Sequence, residues 1–174
     1  MSTTQRILPK GVSEADFDAA LARFREILGA DSVLTESDQL AAYSKIMMAG
    51  DDADYIPSAA LLPTTTEQVQ GIVRTCNEFK VPIWTISTGK NLGYGSAAPG
   101  ETGQVILDLH RMNRILEVDP DSCTALVEPG VTYQQLYDHI QEKGYKLWLS
   151  VPAPSAIAGP VGNTLDRGVG YTPY

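Results

Sequence analysis

A strand–helix–strand pattern that runs directly into a glycine-rich loop constrains the fold of this chain most strongly. Residues 60–63 form a short apolar run typical of a strand, and residues 64–67 supply threonines suited to cap a helix. Residues 81–86 predict a second strand, because Pro82 disfavours a helix and its neighbours are β-branched or aromatic. The loop that follows, residues 87–95, reads STGKNLGYG. A segment rich in glycine therefore leaves the end of a predicted strand.

Three helices are predicted from apolar residues that recur at helical spacing. The first follows the capping residue Ser13 and ends at Gly29, and the second follows residues 64–67. The third spans residues 132–143 and stops at Gly144. The positions expected to face the core are Phe17, Leu21, Phe24 and Leu28, then Val69, Ile72, Val73, Cys76 and Phe79, and finally Leu136 and Ile140.

Further strands are predicted where short β-branched segments alternate with turn residues. They cover residues 32–34, 105–109, 114–118 and 124–128. Residues 45–57 are acidic and aperiodic, which indicates an exposed loop. Residues 150–174 are rich in Gly, Pro and Ala and show no periodicity.

The formal net charge of −8 excludes several classes of partner. An acidic surface repels nucleic acid and anionic membranes, and no cluster of Lys or Arg interrupts it. No apolar run approaches the ~20 residues of a membrane-spanning helix. The N-terminus also lacks the apolar core of a secretory signal, so we expect a cytoplasmic location.

The cysteines and histidines do not form a metal-binding pattern. Cys76 and Cys123 are far apart, and His110 and His139 are the only histidines. Cys76 falls on the apolar face of a predicted helix and Cys123 opens a predicted strand, so both are predicted to be buried free thiols. We expect neither a metal site nor a disulfide.

The glycine-rich loop fails the two commonest phosphate-binding patterns. A nucleoside-triphosphate loop would need glycine at Trp84 and Ser or Thr at Asn91. A dinucleotide-binding turn must open a helix, and Pro99 and Gly100 prevent one after the loop. What remains is a nest of backbone N–H groups around an anion, and on spacing alone an ordinary glycine-rich turn fits equally well.

Residues 82–95 resemble the diphosphate-binding loop of the vanillyl-alcohol oxidase and 4-cresol dehydrogenase family. Residues 126–132 (LVEPGVT) and 162–174 (GNTLDRGVGYTPY) resemble the same family, in the same order. The resemblance implies an α+β fold in which FAD lies between two small subdomains. Residues 57–174 would form the first part of that FAD-binding domain, after an N-terminal helical segment of residues 1–56.

The resemblance also implies a set of contacts with FAD. Residues 84–95 would wrap the diphosphate, and residues 159–164 would run along the isoalloxazine ring and ribityl chain. Loops without bulky side chains let backbone donors make strong, charge-assisted hydrogen bonds to a diphosphate. The implied cofactor-binding residues are Trp84, Ile86, Ser87, Thr88, Gly89, Lys90, Asn91, Leu92, Gly93, Gly95, Pro129, Gly130, Ser155, Gly159, Gly162, Asn163 and Thr164.

Tyr94 matches the family tyrosine that contacts the oxygen of a para-substituted phenol, and is the implied catalytic residue. A phenol has a pKa of about 10 in water, and its phenolate loses hydride from the benzylic carbon more easily than the neutral phenol. Donors gathered on that oxygen would stabilise the anion, and hydride transfer to flavin N5 would give a quinone methide. Tyr171 matches a tyrosine near the wall of the substrate site.

The segment before Asp166 separates two branches of the family. The vanillyl-alcohol and eugenol oxidases carry an aspartate near flavin N5, whereas this chain has no acid between Glu142 and Asp166. It therefore looks more like the 4-cresol dehydrogenase branch, whose flavoprotein passes electrons to a c-type cytochrome subunit. Such a partner would also fit a periplasmic location. An oxidase that has lost the aspartate stays open as an alternative.

The family continues beyond the equivalent of Tyr174 into the rest of the FAD fold, a substrate cap domain and the residue that carries covalent FAD. The resemblance therefore implies a truncated N-terminal fragment that binds FAD weakly and turns nothing over alone, and a homo-oligomer at full length. Two other functions stay open: a related flavoenzyme that oxidises a hydroxy acid or sugar, which Tyr94 disfavours, and a non-catalytic nucleotide-binding module.

Overall fold

A mostly parallel sheet forms the centre of the molecule. The computed structural model describes residues 6–46, 50–90, 97–150, 155–165 and 168. The sheet has four strands in the order β1-β2-β4-β3. They are β1 (Val33–Leu34), β2 (Ala59–Leu61), β3 (Ile83–Ile86) and β4 (Val105–Asp108). The strands β2, β4 and β3 are parallel, and β1 pairs antiparallel with β2.

Two helices cover one face of this sheet. They are α1 (Glu14–Leu28) and α3 (Thr66–Phe79), on either side in sequence of the short helix α2 (Ser37–Leu40). The buried residues Phe17 and Phe24 of α1 share one apolar core with Ile72 of α3. As predicted, Ser13 caps α1, its hydroxyl accepting from the Asp16 N–H at 3.1 Å. The predicted boundary at residues 56 and 57 stays a prediction, although α1 packs into the core of the sheet.

The N-terminal segment also covers the opposite face. The helix α2 and the 3₁₀ turn Ala41–Tyr43 place Leu40 and Tyr43 against the sheet, where they pack on Ala60, Ile86 and Ile106. All five side chains are buried. The two faces of the sheet are therefore closed by helices on one side and by this short segment on the other.

A second, smaller unit follows the main sheet in sequence. The hairpin of β5 (Ile115–Asp119) and β6 (Thr124–Val127) is antiparallel with a bulge near Ile115. Helix α4 (Tyr133–Glu142) packs on it through Leu136 and Ile140, as predicted from their spacing. The short helix α5 (Pro160–Leu165) comes last. No described helix has the length and apolar character needed to cross a bilayer.

Four sequence expectations need correction. Val73 is 38% exposed, because the buried face of α3 is narrower than its apolar residues suggest. Cys123 is exposed and has φ 55°, since it completes the turn that Asp119 stabilises and does not enter the strand. The predicted exposed loop contains a 3₁₀ turn, Asp52–Tyr55. The region predicted to lack periodicity contains α5.

Candidate functional site

A cleft of about 450 Å³ opens where β3 and β4 end. These strands are parallel neighbours, so the segments that follow them lie side by side. Thr88, Gly89 and Lys90 come from the loop after β3, and Asp108 and His110 come from the end of β4. In sheets with parallel strands, ligands commonly bind outside the carboxyl ends of the strands.

The cleft brings together several residues that the sequence implicated in cofactor binding. Gly130 lines it from the turn before α4, opposite the loop after β3. Ile86 forms part of its floor and is itself 7% exposed. The residues implicated from sequence that line the cleft are Ile86, Thr88, Gly89, Lys90 and Gly130.

Ser87 joins the three sequence motifs physically. Its hydroxyl donates a hydrogen bond to the carbonyl of Pro129. Gly159 and Gly162 pack against the same side chain, and a Cβ added at Gly162 would lie 2.9 Å from the Ser87 Cβ. Gly159 and Gly162 therefore have a local structural reason: they let the chain pass close to the loop after β3.

Gly130 shows the same requirement for a close approach. A Cβ at this position would overlap the carbonyl oxygens of Leu109 and His110. Its N–H donates to the carbonyl of Met112 at 2.7 Å, which ties the turn before α4 to the segment after β4. A side chain here would therefore separate two walls of the cleft.

The N-terminus of α4 borders the cleft, but its first amides are already bonded. The N–H groups of Tyr133 and Gln134 donate to the carbonyls of Ala158 and Ala156, at 2.9 and 3.0 Å. Thr132 and Gln135 complete a reciprocal capping box. An anion in the cleft would therefore depend on the loop after β3 and on side chains, and not on free amides of this helix.

A buried hydrogen-bond network that the sequence reasoning missed forms one wall of the cleft. The Tyr43 hydroxyl donates to Asp108 Oδ2 at 2.7 Å. Asp108 Oδ1 accepts from the backbone N–H of His110 at 3.0 Å and lies 2.9 Å from His110 Nδ1. Burial and this carboxylate raise the pKa of Tyr43 well above its usual range, so its hydroxyl stays a donor. In the sequence, Asp108 could have been recognised as an acid at the end of an otherwise wholly apolar strand.

The donors in the cleft suit the anionic, polar part of FAD. Lys90 supplies a positive charge, Thr88 and Thr132 supply hydroxyls, and Asn113 supplies an amide. The single acid in the lining, Asp108, is occupied by Tyr43 and His110. The described lining thus offers donors to a diphosphate without presenting an unpaired carboxylate to it.

Other residues implicated from sequence lie away from the cleft lining. Trp84 is 37% exposed and packs over Gly100, and Ser155 and Thr164 are exposed. The Asn163 amide donates to the Tyr133 hydroxyl at 3.2 Å. Their roles stay predictions. Six further positions lie outside the described residues: Asn91, Leu92, Gly93, Tyr94, Gly95 and Tyr171.

Comparison with known proteins identifies the domain. The family model described as FAD binding domain matches residues 57–172. The "4-cresol dehydrogenase [hydroxylating] flavoprotein subunit" of Pseudomonas putida is 64% identical over 168 residues, which are 97% of this chain and 32% of that protein. The chain therefore spans about a third of the length of this relative.

Solved structures give the same result. A crystal structure of p-cresol methylhydroxylase with substrate bound matches with a TM-score of 0.94 and 64% identity, over 97% of this chain and 33% of the other. A 4-ethylphenol oxidase from Gulosibacter chungangensis, in complex with isoeugenol, matches with a TM-score of 0.89 and 40% identity, over 96% of this chain and 32% of the other. The chain belongs to the FAD binding domain family, and its fold is that of the p-cresol methylhydroxylase and vanillyl-alcohol oxidase type.

Proposed function

We propose that this chain is the FAD-binding part of an enzyme that oxidises para-alkylphenols at the benzylic carbon. The observation that carries the proposal is the 64% identity with a 4-cresol dehydrogenase flavoprotein subunit over 97% of the chain. FAD, when bound, accepts the hydride that leaves the benzylic carbon of the phenolate. The substrate is left as a quinone methide, whose electrophilic carbon takes up water.

The chain's own residues hold the cofactor and prepare the substrate. Lys90 and the hydroxyl of Thr88 bind the diphosphate, in a cleft where charge-assisted hydrogen bonds are strong. Tyr94 follows them in the same loop and donates a hydrogen bond to the phenolic oxygen, which favours the phenolate. The loop therefore positions both the cofactor and the substrate.

The electron acceptor in this proposal is a c-type cytochrome. The relative is called a flavoprotein subunit, which supports a second subunit in its assembly. The net charge of −8 favours association with a partner whose surface is basic. The 40% identity with a 4-ethylphenol oxidase favours a second candidate, in which molecular oxygen accepts the electrons.

The test uses the protein purified at the length that its gene encodes. We expect it to oxidise 4-alkylphenols and to reduce cytochrome c faster than oxygen in stopped-flow experiments. Rapid reoxidation by oxygen would favour the oxidase instead. The Tyr94→Phe variant should lower kcat by about a hundredfold, because one donor to the developing phenolate is lost.

Tyr137→Phe is the matched control, since Tyr137 is a half-exposed tyrosine on α4 outside the cleft lining. It should leave kcat unchanged. A protein that binds FAD but oxidises no phenol under either acceptor would contradict the proposal and leave a nucleotide-binding module as the function.

A further inference from the structure

We propose that His110 is a further cofactor-binding residue, which Asp108 and Tyr43 hold in position to donate to the diphosphate of FAD. The inference rests on the proposed function, because it takes FAD as the ligand of the cleft. Tyr43 lies outside residues 57–172, which match the FAD binding domain model. The N-terminal segment would thus contribute to the cofactor site through this side chain.

The hydrogen bonds around Asp108 fix the orientation of the imidazole. The carboxylate only accepts hydrogen bonds, so the 2.9 Å contact with His110 Nδ1 places a proton on that nitrogen. The second contact, from the His110 backbone N–H to the same oxygen, holds the residue close to the carboxylate. Nε2 is then the nitrogen that remains for a ligand, as in histidines whose other nitrogen is held by a carboxylate.

The burial of Asp108 restricts the orientation of the His110 imidazole. Its side chain is 8% exposed, whereas that of His110 is 46% exposed. The acid is thus anchored in the structure, and the imidazole that it orients is open to the cleft. The Tyr43 hydroxyl also holds the carboxylate, by donating to its second oxygen, Oδ2, at 2.7 Å.

The position of His110 relative to Lys90 points to a phosphate oxygen as the group it binds. Both residues line the same cleft, after neighbouring parallel strands. An ammonium group and an imidazole N–H that line one cleft are both donors suited to an anion bound in it. The diphosphate of FAD supplies such an anion, and Asp108 offsets part of the added positive charge.

The experiment compares FAD binding by the unsubstituted protein and by His110→Asn, both purified without cofactor at the length that the gene encodes, using calorimetry. We expect His110→Asn to weaken binding about tenfold, from the loss of one charge-assisted hydrogen bond. His139→Asn is the matched control, because it removes the other histidine of the chain, which lies on α4 outside the cleft lining. It should bind FAD as the unsubstituted chain does.

Riboflavin, which has no phosphate, identifies the group that His110 contacts. It should bind His110→Asn and the unsubstituted chain with equal affinity. An equal loss for riboflavin and FAD would overturn the proposal, since the contact would then lie on the ring system or ribityl chain. Unchanged FAD affinity in His110→Asn would also overturn it and would leave the proposed function intact.

Asp108→Asn and Tyr43→Phe test the positioning role. Nitrogen-15 NMR should show the neutral imidazole of His110 protonated on Nδ1 in the unsubstituted chain, with a shift toward the Nε2-protonated form in Asp108→Asn. Tyr43→Phe keeps the shape of the buried ring and should weaken FAD binding less than His110→Asn. A neutral imidazole that carries its proton on Nε2 and not on Nδ1 would contradict the proposal. A protein of the length that the gene encodes that binds no FAD at all would overturn both this inference and the proposed function.

Discussion

Ser87 and Gly162 lie in direct contact, so that a Cβ added to the glycine would come within 2.9 Å of the serine Cβ. The two residues are far apart in sequence, in the loop after β3 and in helix α5. Their contact holds the last described helix against the loop that borders the cleft. The space at Gly162 is therefore set by one identifiable neighbour, and this makes it testable by paired substitutions.

Gly162→Ala should destabilise the protein by about 1–3 kcal/mol, because it overpacks the contact with Ser87. In a Ser87→Gly background the same change should be neutral or stabilising, since Gly162 lies in a helix, where alanine is preferred. Urea denaturation of the four proteins of this double-mutant cycle measures the coupling. Additive effects of the two changes would show that the contact does not limit the space at Gly162.

Tyr43→Phe should lower the free energy of unfolding by about 1–3 kcal/mol at neutral pH, because it leaves the buried Asp108 carboxylate without this donor. Folding raises the pKa of Tyr43. Its hydrogen bond to Asp108 therefore contributes fully to the free energy of unfolding below the unfolded-state pKa of about 10. This contribution is lost as the pH rises above that value. The stability gap between the two proteins should therefore narrow above pH 10. Tyr137→Phe, at an exposed tyrosine, should change stability by less than about 0.5 kcal/mol.

Glu128 should stabilise the protein at neutral pH and lose this effect in acid. Three contacts from Arg114, the shortest 2.6 Å, lower the pKa of the carboxyl below its usual range. A lowered folded-state pKa means that the contribution is present above the unfolded pKa of about 4.3 and disappears as the pH falls. Glu128→Gln should thus be less stable than the unsubstituted protein at pH 7, and the two should converge below pH 4.

The control for this pair is Arg23→Met, which removes a surface ion pair with Glu26 at 3.7 Å. Exposed pairs of this kind contribute little, so the change should be within about 0.5 kcal/mol. A constant difference between Glu128→Gln and the unsubstituted protein from pH 7 to pH 3 would show that the charge of Glu128 has no part in its effect.

The two cysteines should differ sharply in reactivity toward a thiol reagent. Cys123 is exposed on the turn of the β5–β6 hairpin, whereas Cys76 is 6% exposed and burial raises the pKa of its thiol to about 12. One thiol should react within seconds at pH 8 and the second only after addition of denaturant. Cys123→Ala should abolish the fast phase. A fast phase that persists in this variant would place Cys76 in an accessible position.

The local elements were predictable because each is set by neighbours in sequence. Ser13, with the apolar spacing after it, defines α1, and the Thr132–Gln135 capping box marks the start of α4. Val73 was predicted wrongly because its burial depends on which face of α3 meets the sheet. Cys123 was predicted wrongly because the start of β6 depends on the geometry of the preceding turn. The spacing of apolar residues contains neither kind of information.

The site was predictable only in part. The loop after β3 and Gly130 were identified through the resemblance to a known family, since spacing alone fitted an ordinary glycine-rich turn equally well. The wall formed by Tyr43, Asp108 and His110 was missed because Tyr43 and Asp108 are 65 positions apart. A single sequence contains no signal that pairs a tyrosine in a short N-terminal turn with an acid at a strand end. Such contacts depend on how the segments meet in the tertiary structure.

The strand order β1-β2-β4-β3 has a consequence for the synthesis of this protein. The strands that flank α3 never pair with each other, because β4 occupies the place between them. A nascent chain that has emerged only as far as the loop after β3 therefore has no partner for that strand. Strand β3 cannot pair until residues 105–108 leave the ribosome and insert. A ribosome-bound chain that exposes residues 1–100 should accordingly be protease-sensitive at residues 83–90, and one that also exposes residues 101–110 should be protected there.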